Sequence, residues 1–252
     1  MADSVWGPAS AASSPSSNSP SLRHPALVRI THWLITVSFL ALLLTGIEIL
    51  ISHPRFYWGE TGNDLSRPLF VIPIPASRDL VPTGYGYTLP DQNGWSRYLH
   101  FEAAWLAVLT GLLYLTYGLV SGHFRRNLAP SRGDLSPGGI WNVIRGHLRL
   151  GSRADDGVYN VLQRLVYLCV IFILFPLVIW TGLAMSLAFD SAFPAAVALL
   201  GGQQSARTLH LLVSAALVMF LFVHIVMVCI SGFRGRLRAM ITGRGRSETE
   251  GA

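Results

Sequence analysis

The segment LHLLVSAALVMFLFVHIVMVCISG, residues 209–232, decides the fold of this chain. It is continuously apolar, and it carries two histidines, His210 and His224, fourteen residues apart. In an α-helix, fourteen residues rise roughly 21 Å and return to within about 40° of the same face. The hydrocarbon core of a bilayer is about 30 Å thick. The segment therefore predicts a membrane helix with one imidazole towards each surface, and ionisable side chains inside such helices indicate functional sites.

Three further segments have the length and composition of membrane helices. They cover about 26–51, 99–120 and 162–188, and each reaches the roughly 20 residues that a spanning helix needs. Lipid offers the backbone no hydrogen-bond partner, so continuous apolar runs of this kind form helices. With 51% hydrophobic and 13% charged residues, the chain is predicted to be an all-α integral membrane protein in contact with membrane lipid. Its domain, residues 23–240, is a bundle of four transmembrane helices.

The positive charge of the chain, formally +6, is carried by arginines that cluster in three regions. These regions are the start of the first helix, the connection between the second and third helices, and the residues after the fourth. In a four-span topology all three lie on one side, and the positive-inside rule makes that side cytoplasmic. Both termini are therefore predicted to be cytoplasmic, and the connection 52–98 is predicted to be external. This placement argues against nucleic acid as a partner.

The ends of the chain and its two cysteines are given simple interpretations. Residues 1–22 are rich in Ser, Ala and Pro and are predicted to be disordered, as is the tail 241–252. The N-terminal residues lack the pattern of a secretory signal, so the first helix is expected to be an uncleaved anchor. Cys169 and Cys229 lie inside apolar segments and are expected to be buried as small hydrophobic residues.

Four histidines lie at two matching depths of the predicted bundle. His32 and His224 fall near the inner surface, whereas His100 and His210 fall near the outer one. A b-type haem needs a nitrogen ligand on each face of its iron, and helix bundles build such sites from facing helices. The depths predict two haem b groups, with the iron of one held by His32 and His224 and the iron of the other by His100 and His210. Other uses remain open, namely packing, proton transport through a channel or transporter, and a non-haem metal centre.

An arginine precedes three of these histidines by one helical turn. Arg29, Arg97 and Arg207 each stand three residues before a histidine, so each shares its helix face and lies nearer the aqueous surface. These cations are candidates to bind haem propionates. The alternative is that they flank membrane helices and extend their guanidinium groups into water. Arg97 and Arg207 favour the propionate role, or contact with a partner, because they lie on the side where arginine is less expected.

The histidine set resembles a known family, the di-haem four-helix cytochrome b subunits of bacterial respiratory complexes. This family contains bacterial cytochrome b-561 and the membrane subunits of nickel–iron hydrogenase, formate dehydrogenase and thiosulfate reductase. The resemblance covers about residues 23–240 and is carried by the RITHW motif at 29–33, by His100, and by His210 with His224. It implies a protein of the bacterial inner membrane that exchanges electrons between a water-soluble partner and membrane quinone or quinol. The family's ligand pairing agrees with the pairing inferred from depth.

A second motif of the resemblance concerns the quinone. The sequence YNVLQ at 159–163 is similar to a YNxxQ segment that lies beside the family's inner haem. Asn160 and Gln163 would supply hydrogen bonds to quinone carbonyls beside an apolar slot. The alternative is that Asn160 is the N-terminal cap of the third helix.

The external connection, about 47 residues long (52–98), exceeds what a simple link between helices requires. Its segment HPRFYWGETG at 53–62 resembles the thiosulfate-reductase or molybdopterin-oxidoreductase branch of the family. This implies that the chain is an electron-transfer subunit for a periplasmic oxidoreductase, of molybdopterin or another type, rather than the catalytic subunit. The alternative is a stand-alone cytochrome b-561 that oxidises a small external reductant and reduces quinone. The sequence does not encode the direction of electron flow.

Overall fold

The computed structural model describes residues 25–62, 65–74, 80–82, 88–90, 94–125, 164–230 and 232–243. The helices, in chain order, are α1 (Ala26–Ser52), α2 (Gly94–Val120), α3 (Arg164–Ala184), α4 (Leu187–Ala192), α5 (Pro194–Ala198), α6 (Gln203–Ile230) and α7 (Phe233–Thr242). Four of them, α1, α2, α3 and α6, are long and apolar enough to cross a membrane. The prediction of a helical membrane bundle with four spans is therefore confirmed.

The helix ends differ from the predicted ones by a few residues. Helix α2 begins at Gly94 rather than near 99, and α6 begins at Gln203 rather than near 209. Hydropathy locates only the apolar part of a helix, whereas these helices continue for one or two polar turns beyond it. Helix α3 ends at Ala184 rather than near 188, because the chain then turns into the short helices α4 and α5.

Small residues form the contact between α1 and α2. On α1 the buried residues recur every seven positions and are all hydroxyl-bearing: Thr31, Ser38, Thr45 and Ser52. On α2 the buried residues are likewise small, namely Ser96, Ala103, Thr110 and Gly118, the last of which is covered by the Phe124 ring. Small side chains allow helix backbones in a membrane to approach closely. The four α1 hydroxyls donate hydrogen bonds to carbonyls one turn earlier in their own helix. Each of these hydroxyl protons is therefore hydrogen-bonded although water is absent from the interior of the bilayer.

Helix α3 contains a π-helical stretch at Val170–Leu174, directly before Pro176. Proline has no backbone N–H, and its ring clashes with the carbonyl four residues earlier. A π-turn is one way to relieve that clash, because it widens the helix locally. Proline is a common cause of helix irregularity, and in α3 the irregularity takes the form of this local widening.

The described spans form two closely packed pairs, α1 with α2 and α3 with α6. The second pair contains the main apolar clusters, one around Val170, Val213 and Leu217 and the other around Ala184, Val197 and Ala206. Among the described residues, close backbone packing between the two pairs is limited to isolated points. The space between the pairs is therefore not filled by the helix–helix packing seen within each pair.

The cysteines do not follow the sequence expectation. Cys169 on α3 and Cys229 on α6 are both exposed on the surface of the bundle, whereas burial was predicted. In a membrane helix, the residues that face lipid are as apolar as those that face the protein. Hydropathy alone therefore could not show whether each cysteine faces lipid or the interior of the protein.

The external segment 53–62 lies over the start of α6. It includes one strand of a short antiparallel sheet, β1 (Arg55–Phe56) with β2 (Phe70–Val71). A second such sheet pairs β3 (Leu80–Pro82) with β4 (Thr88–Pro90). Thr208 donates a hydrogen bond to the Tyr57 carbonyl (2.7 Å), and the Gly59 N–H donates to Ser205 Oγ (2.8 Å). These bonds attach the segment to the outer end of the bundle.

Helix α7 is not predicted by the sequence analysis, and it includes Ile241 and Thr242 from the tail that was expected to be disordered. It follows a turn at Gly232, whose φ of 93° favours glycine. Trp33 Nε1 donates to the Met240 carbonyl (3.3 Å), which helps to pack the last turn of α7 against the start of α1. Residues 1–22 and 244–252 lie outside the described residues.

Candidate functional site

The inner histidine pair consists of His32 on α1 and His224 on α6. Their ring centroids are 6.4 Å apart, and the ring planes are inclined at 50°. Aromatic side chains surround the pair: Trp33 lies edge-on to His32, with centroids 5.5 Å apart, and Phe220 stacks on His224 at 5.9 Å. Tyr167 of α3 also contacts the His224 ring, at 6.4 Å. The pair therefore lies in a predominantly aromatic environment.

The outer pair consists of His100 on α2 and His210 on α6. Its ring centroids are likewise 6.4 Å apart, with the planes inclined at 67°. Each pair thus joins one helix of the α1–α2 unit to α6, across the space between the two helix units. The structure brings together the same partners that the sequence pairs by depth.

The separation of the rings fits a metal ion between them. An imidazole nitrogen binds a transition metal at about 2 Å, and the ring centroid lies roughly 1 Å behind that nitrogen. Two imidazoles on opposite faces of one metal therefore have centroids about 6 Å apart, which is close to the 6.4 Å of both pairs. In the described part of the chain, no three His, Cys, Asp or Glu side chains cluster to hold a metal ion. Sites with two nitrogen ligands suit haem iron, whose other ligands come from the porphyrin.

The outer imidazoles are hydrogen-bonded through Nδ1. His100 Nδ1 lies 2.9 Å from Thr45 Oγ1 of α1. His210 Nδ1 lies 3.1 Å from Thr181 Oγ1 of α3 and 3.1 Å from the Val178 carbonyl oxygen. Such contacts fix the orientation of a ring and leave the other nitrogen, Nε2, for a ligand.

A glycine follows each of these threonines and lies beside the same imidazole. A Cβ atom at Gly46 would lie 3.6 Å from His100 Cε1, and one at Gly182 would lie 3.3 Å from His210 Cε1. The backbone of α1 and of α3 therefore approaches its histidine closely. Sequence analysis missed the two threonines, although each is part of a Thr-Gly dipeptide in an apolar helix.

Two of the three candidate arginines, Arg29 and Arg207, donate hydrogen bonds to backbone carbonyls of neighbouring segments. Arg29 Nη1 donates to the Ile241 carbonyl at the end of α7 (2.7 Å), and its buried Nε has no hydrogen-bond partner in the described part of the chain. Arg207 donates to the His53 carbonyl (2.6 Å) and lies over the Phe56 ring, 5.0 Å from its centroid. Both guanidinium groups thus help to hold neighbouring segments. Their role towards propionates stays a prediction, and Arg29 Nε is a donor that a carboxylate could use.

Basic groups gather at the outer end of the bundle. Burial lowers the pKa of His53 below its usual value, and the nearby charges of Arg207 and Arg97 lower this pKa further. The exposed Arg97 on α2 and the half-buried Arg207 on α6 therefore both place positive charge near His53. An anionic group bound there would be favoured by both charges.

The candidate quinone residues Asn160 and Gln163 lie outside the described residues. The described part of this span begins at Arg164, and Tyr167, within its first turn, contacts the inner ligand His224. Tyr167 follows Asn160 by seven residues and Gln163 by four, a spacing that would place all three on one helix face. Sequence reasoning missed Tyr167, whose signal is this spacing.

Two comparisons with known proteins identify what this chain is similar to. The family described as prokaryotic cytochrome b561 matches residues 23–243. The chain is also 31% identical over 212 residues to a putative protein-methionine-sulfoxide reductase subunit, YedZ1, of Azospira oryzae. That alignment covers 82% of this chain and 90% of the relative.

Proposed function

Because the chain belongs to the prokaryotic cytochrome b561 family, we propose that it relays electrons through two haem b groups between membrane quinone and a periplasmic oxidoreductase. Members of the family are membrane electron-transfer proteins that bind haem b, and this chain is a multi-pass protein of the bacterial inner membrane. When bound, haem supplies reversible one-electron transfer. The observation that carries the proposal is the presence of two facing imidazole pairs, each with 6.4 Å between centroids and each with one member on α6.

The chain's own residues would hold and tune the two sites. His32 and His224 supply the nitrogen ligands of the inner site, and His100 and His210 supply those of the outer site. Close backbone packing between the two helix pairs is sparse among the described residues, as a flat group bound between them would require. Helix α6 contributes one ligand to each site and thereby fixes their separation along the membrane normal at roughly 21 Å between the two α6 histidines.

The inner site is proposed to exchange electrons with quinone. Asn160 and Gln163 would donate hydrogen bonds to the quinone carbonyls, and Tyr167 would place this face of α3 beside His224. The substitutions Asn160→Ala and Gln163→Ala together should weaken binding of a quinone-site inhibitor. Gln204→Ala, which changes a glutamine at the opposite end of the bundle, is the control. Unchanged inhibitor affinity in the double variant would contradict the quinone assignment.

The outer end is proposed to contact the oxidoreductase partner. The segment 53–62 holds Trp58 in a fixed position, since its neighbours Phe56 and Tyr57 are only 3% and 6% exposed, whereas Trp58 is 58% exposed. Ordered, exposed aromatic side chains are typical anchors of protein interfaces. A periplasmic partner bound there would lie above the outer histidine pair. Activity retained after purification without any partner would instead favour a stand-alone quinone oxidoreductase.

The name of the relative suggests a direction of electron flow. It is described as a subunit of a reductase for methionine sulfoxide in proteins, and a reductase consumes electrons. For this chain we propose electron flow from quinol, through the inner and outer sites, to the partner, whose cofactor can be of the molybdopterin type. Rapid reduction of the bound haem by a quinol analogue supports this direction, whereas reduction only from the partner's side contradicts it.

Single substitutions of the histidines test the two sites. His100→Ala and His210→Ala should both remove the outer haem, and His32→Ala and His224→Ala should both remove the inner one. His53, which is not a member of either imidazole pair, provides the control substitution, His53→Ala. Absorbance spectra of the reduced and oxidised proteins measure which haem remains. Loss of the same haem from His100→Ala and His224→Ala would disprove the pairing.

A further inference from the structure

We propose that two Thr-Gly dipeptides, Thr45-Gly46 on α1 and Thr181-Gly182 on α3, fix the tautomer and position of the outer imidazoles and thereby set the redox potential of that site. The inference rests on the proposed haem site and adds to it a pair of positioning residues. Each dipeptide belongs to a helix that supplies no ligand to the outer pair, and each acts on the histidine of the neighbouring helix.

The tautomer of His210 follows from the chemistry of its partners. The Val178 carbonyl oxygen, 3.1 Å from His210 Nδ1, can only accept a hydrogen bond. Nδ1 must therefore carry the proton. Thr181 Oγ1 agrees with this, because its own proton is donated to the Leu177 carbonyl at 2.8 Å, which leaves the hydroxyl oxygen as an acceptor for Nδ1–H.

The tautomer of His100 is assigned from the hydrogen bonds of Thr45. The Thr45 hydroxyl lies 2.7 Å from the Ala41 carbonyl and 2.9 Å from His100 Nδ1. We assign its proton to the carbonyl, as for Ser38 and Ser52 in the same row, so that its oxygen accepts from His100 Nδ1–H. Both outer imidazoles are thus assigned as Nδ1–H tautomers. Their Nε2 atoms keep the lone pair that an iron ligand requires.

The glycines allow the threonines to reach the rings. At Gly182 a Cβ would lie 3.3 Å from His210 Cε1, a distance at which the ring must move by a few tenths of an ångström. At Gly46 the corresponding distance to His100 Cε1 is 3.6 Å, an ordinary contact. The structure therefore tolerates Gly46→Ala better than Gly182→Ala.

These bonds have a consequence for the redox potential. A hydrogen bond accepted from Nδ1–H makes an imidazole a stronger electron donor through Nε2. A stronger donor stabilises ferric relative to ferrous iron and lowers the potential. Removing the acceptor should raise it. The effect should be larger for Thr45, because within the described residues Thr45 Oγ1 is the acceptor that His100 Nδ1 reaches, whereas His210 Nδ1 keeps the Val178 carbonyl after Thr181 is changed.

A third Thr-Gly dipeptide provides the matched control. Thr110-Gly111 lies in α2, and Thr110 is buried like Thr45 and Thr181. A Cβ at Gly111 would meet no atom within 4 Å. The described structure gives Thr110 no imidazole contact. Substitution of this dipeptide therefore changes a buried threonine and a helical glycine without changing a ligand.

The experiment is an optical redox titration of the haem-loaded full chain, with ferric electron paramagnetic resonance of the same samples. The outer haem is identified as the one lost in His210→Ala. We expect its midpoint potential to rise in Thr45→Val, to rise less in Thr181→Val, and to stay near the wild-type value in Thr45→Ser, which keeps the hydroxyl. The inner haem should not respond to these changes, and Thr110→Val should shift neither potential.

The outcomes separate this inference from the proposed function. If the double variant Thr45→Val with Thr181→Val keeps the wild-type outer potential and resonance, the inference is overturned while the haem sites stand. If the wild-type protein holds no outer haem, both are overturned. Should the double variant fail to accumulate, Gly182→Ala serves in its place. It should alter the outer resonance more than Gly46→Ala or Gly111→Ala, and equal, unchanged signals in all three would refute the inference.

Discussion

At the level of single residues, the side chains around the histidines decide what each imidazole can do. Thr45 and Thr181 supply hydrogen-bond acceptors to the outer rings, whereas aromatic rings contact His32 and His224. The inner and outer sites are therefore not equivalent. We expect the haems to titrate at two separate potentials, because hydrogen bonding and surrounding polarity both tune iron in proteins.

The outer end should be sensitive to acid. The lowered pKa of His53 means that the folded protein favours the neutral imidazole, while the unfolded chain has the ordinary value of 6.5. The stability contributed by this difference is present above pH 6.5 and is lost as the pH falls from there towards the folded-state pKa. His53→Gln cannot titrate, so its apparent unfolding midpoint should fall less on acidification than that of the wild type. Thermal unfolding in detergent on both sides of pH 6.5 measures this, and parallel decreases in the two proteins would contradict it.

At the level of helices, the structure explains which features of the sequence were readable. Long apolar runs predicted the four spans, and the depths of four histidines predicted the pairing, because hydropathy and depth can be read along the sequence. The Thr–His bonds, the approach of α7 to α1 and the outward-facing cysteines depend on which helices are neighbours. No spacing within a single helix contains that information. The early start of α6 likewise reflects contacts of its polar first turns with the external segment rather than hydropathy.

The close contact between α1 and α2 makes a specific prediction about volume. Ser38 is 1% exposed in the row of small residues that faces α2, whereas the adjacent Val37 is 62% exposed. Ser38→Leu should separate the helices and destabilise the protein by about 1–3 kcal/mol, the usual cost of overpacking. Val37→Leu adds volume on the exposed side and should leave stability nearly unchanged. Unfolding midpoints in detergent compare the two, and equal midpoints would show that this row of residues does not limit helix approach.

At the level of the whole molecule, α6 acts as the common support. It packs with α3, carries one ligand of each pair, and receives the external segment at its start and α7 after its end. Close backbone packing between this helix and the α1–α2 unit is sparse in the described residues, and the contacts that cross between them include the two histidine pairs and Phe39, which packs against the cluster around Val213. Bound haem would therefore connect the two halves of the bundle.

Removal of haem should consequently weaken the bundle as a whole. A ligand present at 1,000 times its dissociation constant stabilises a protein by about 4 kcal/mol. Protein produced without haem synthesis should unfold at a lower temperature and be cleaved faster by protease, and added haem should restore both properties. The His53→Ala variant, which keeps all four ligands, should behave like the wild type. A haem-depleted protein as stable as the loaded one would contradict a connecting role.

The most direct measurement of the central claim is the haem content of the purified full-length chain, determined together with its ferric electron paramagnetic resonance. The account predicts two haem b groups per chain, both low-spin and each with two imidazole ligands. One haem per chain, or a high-spin signal indicating a missing imidazole, would contradict it.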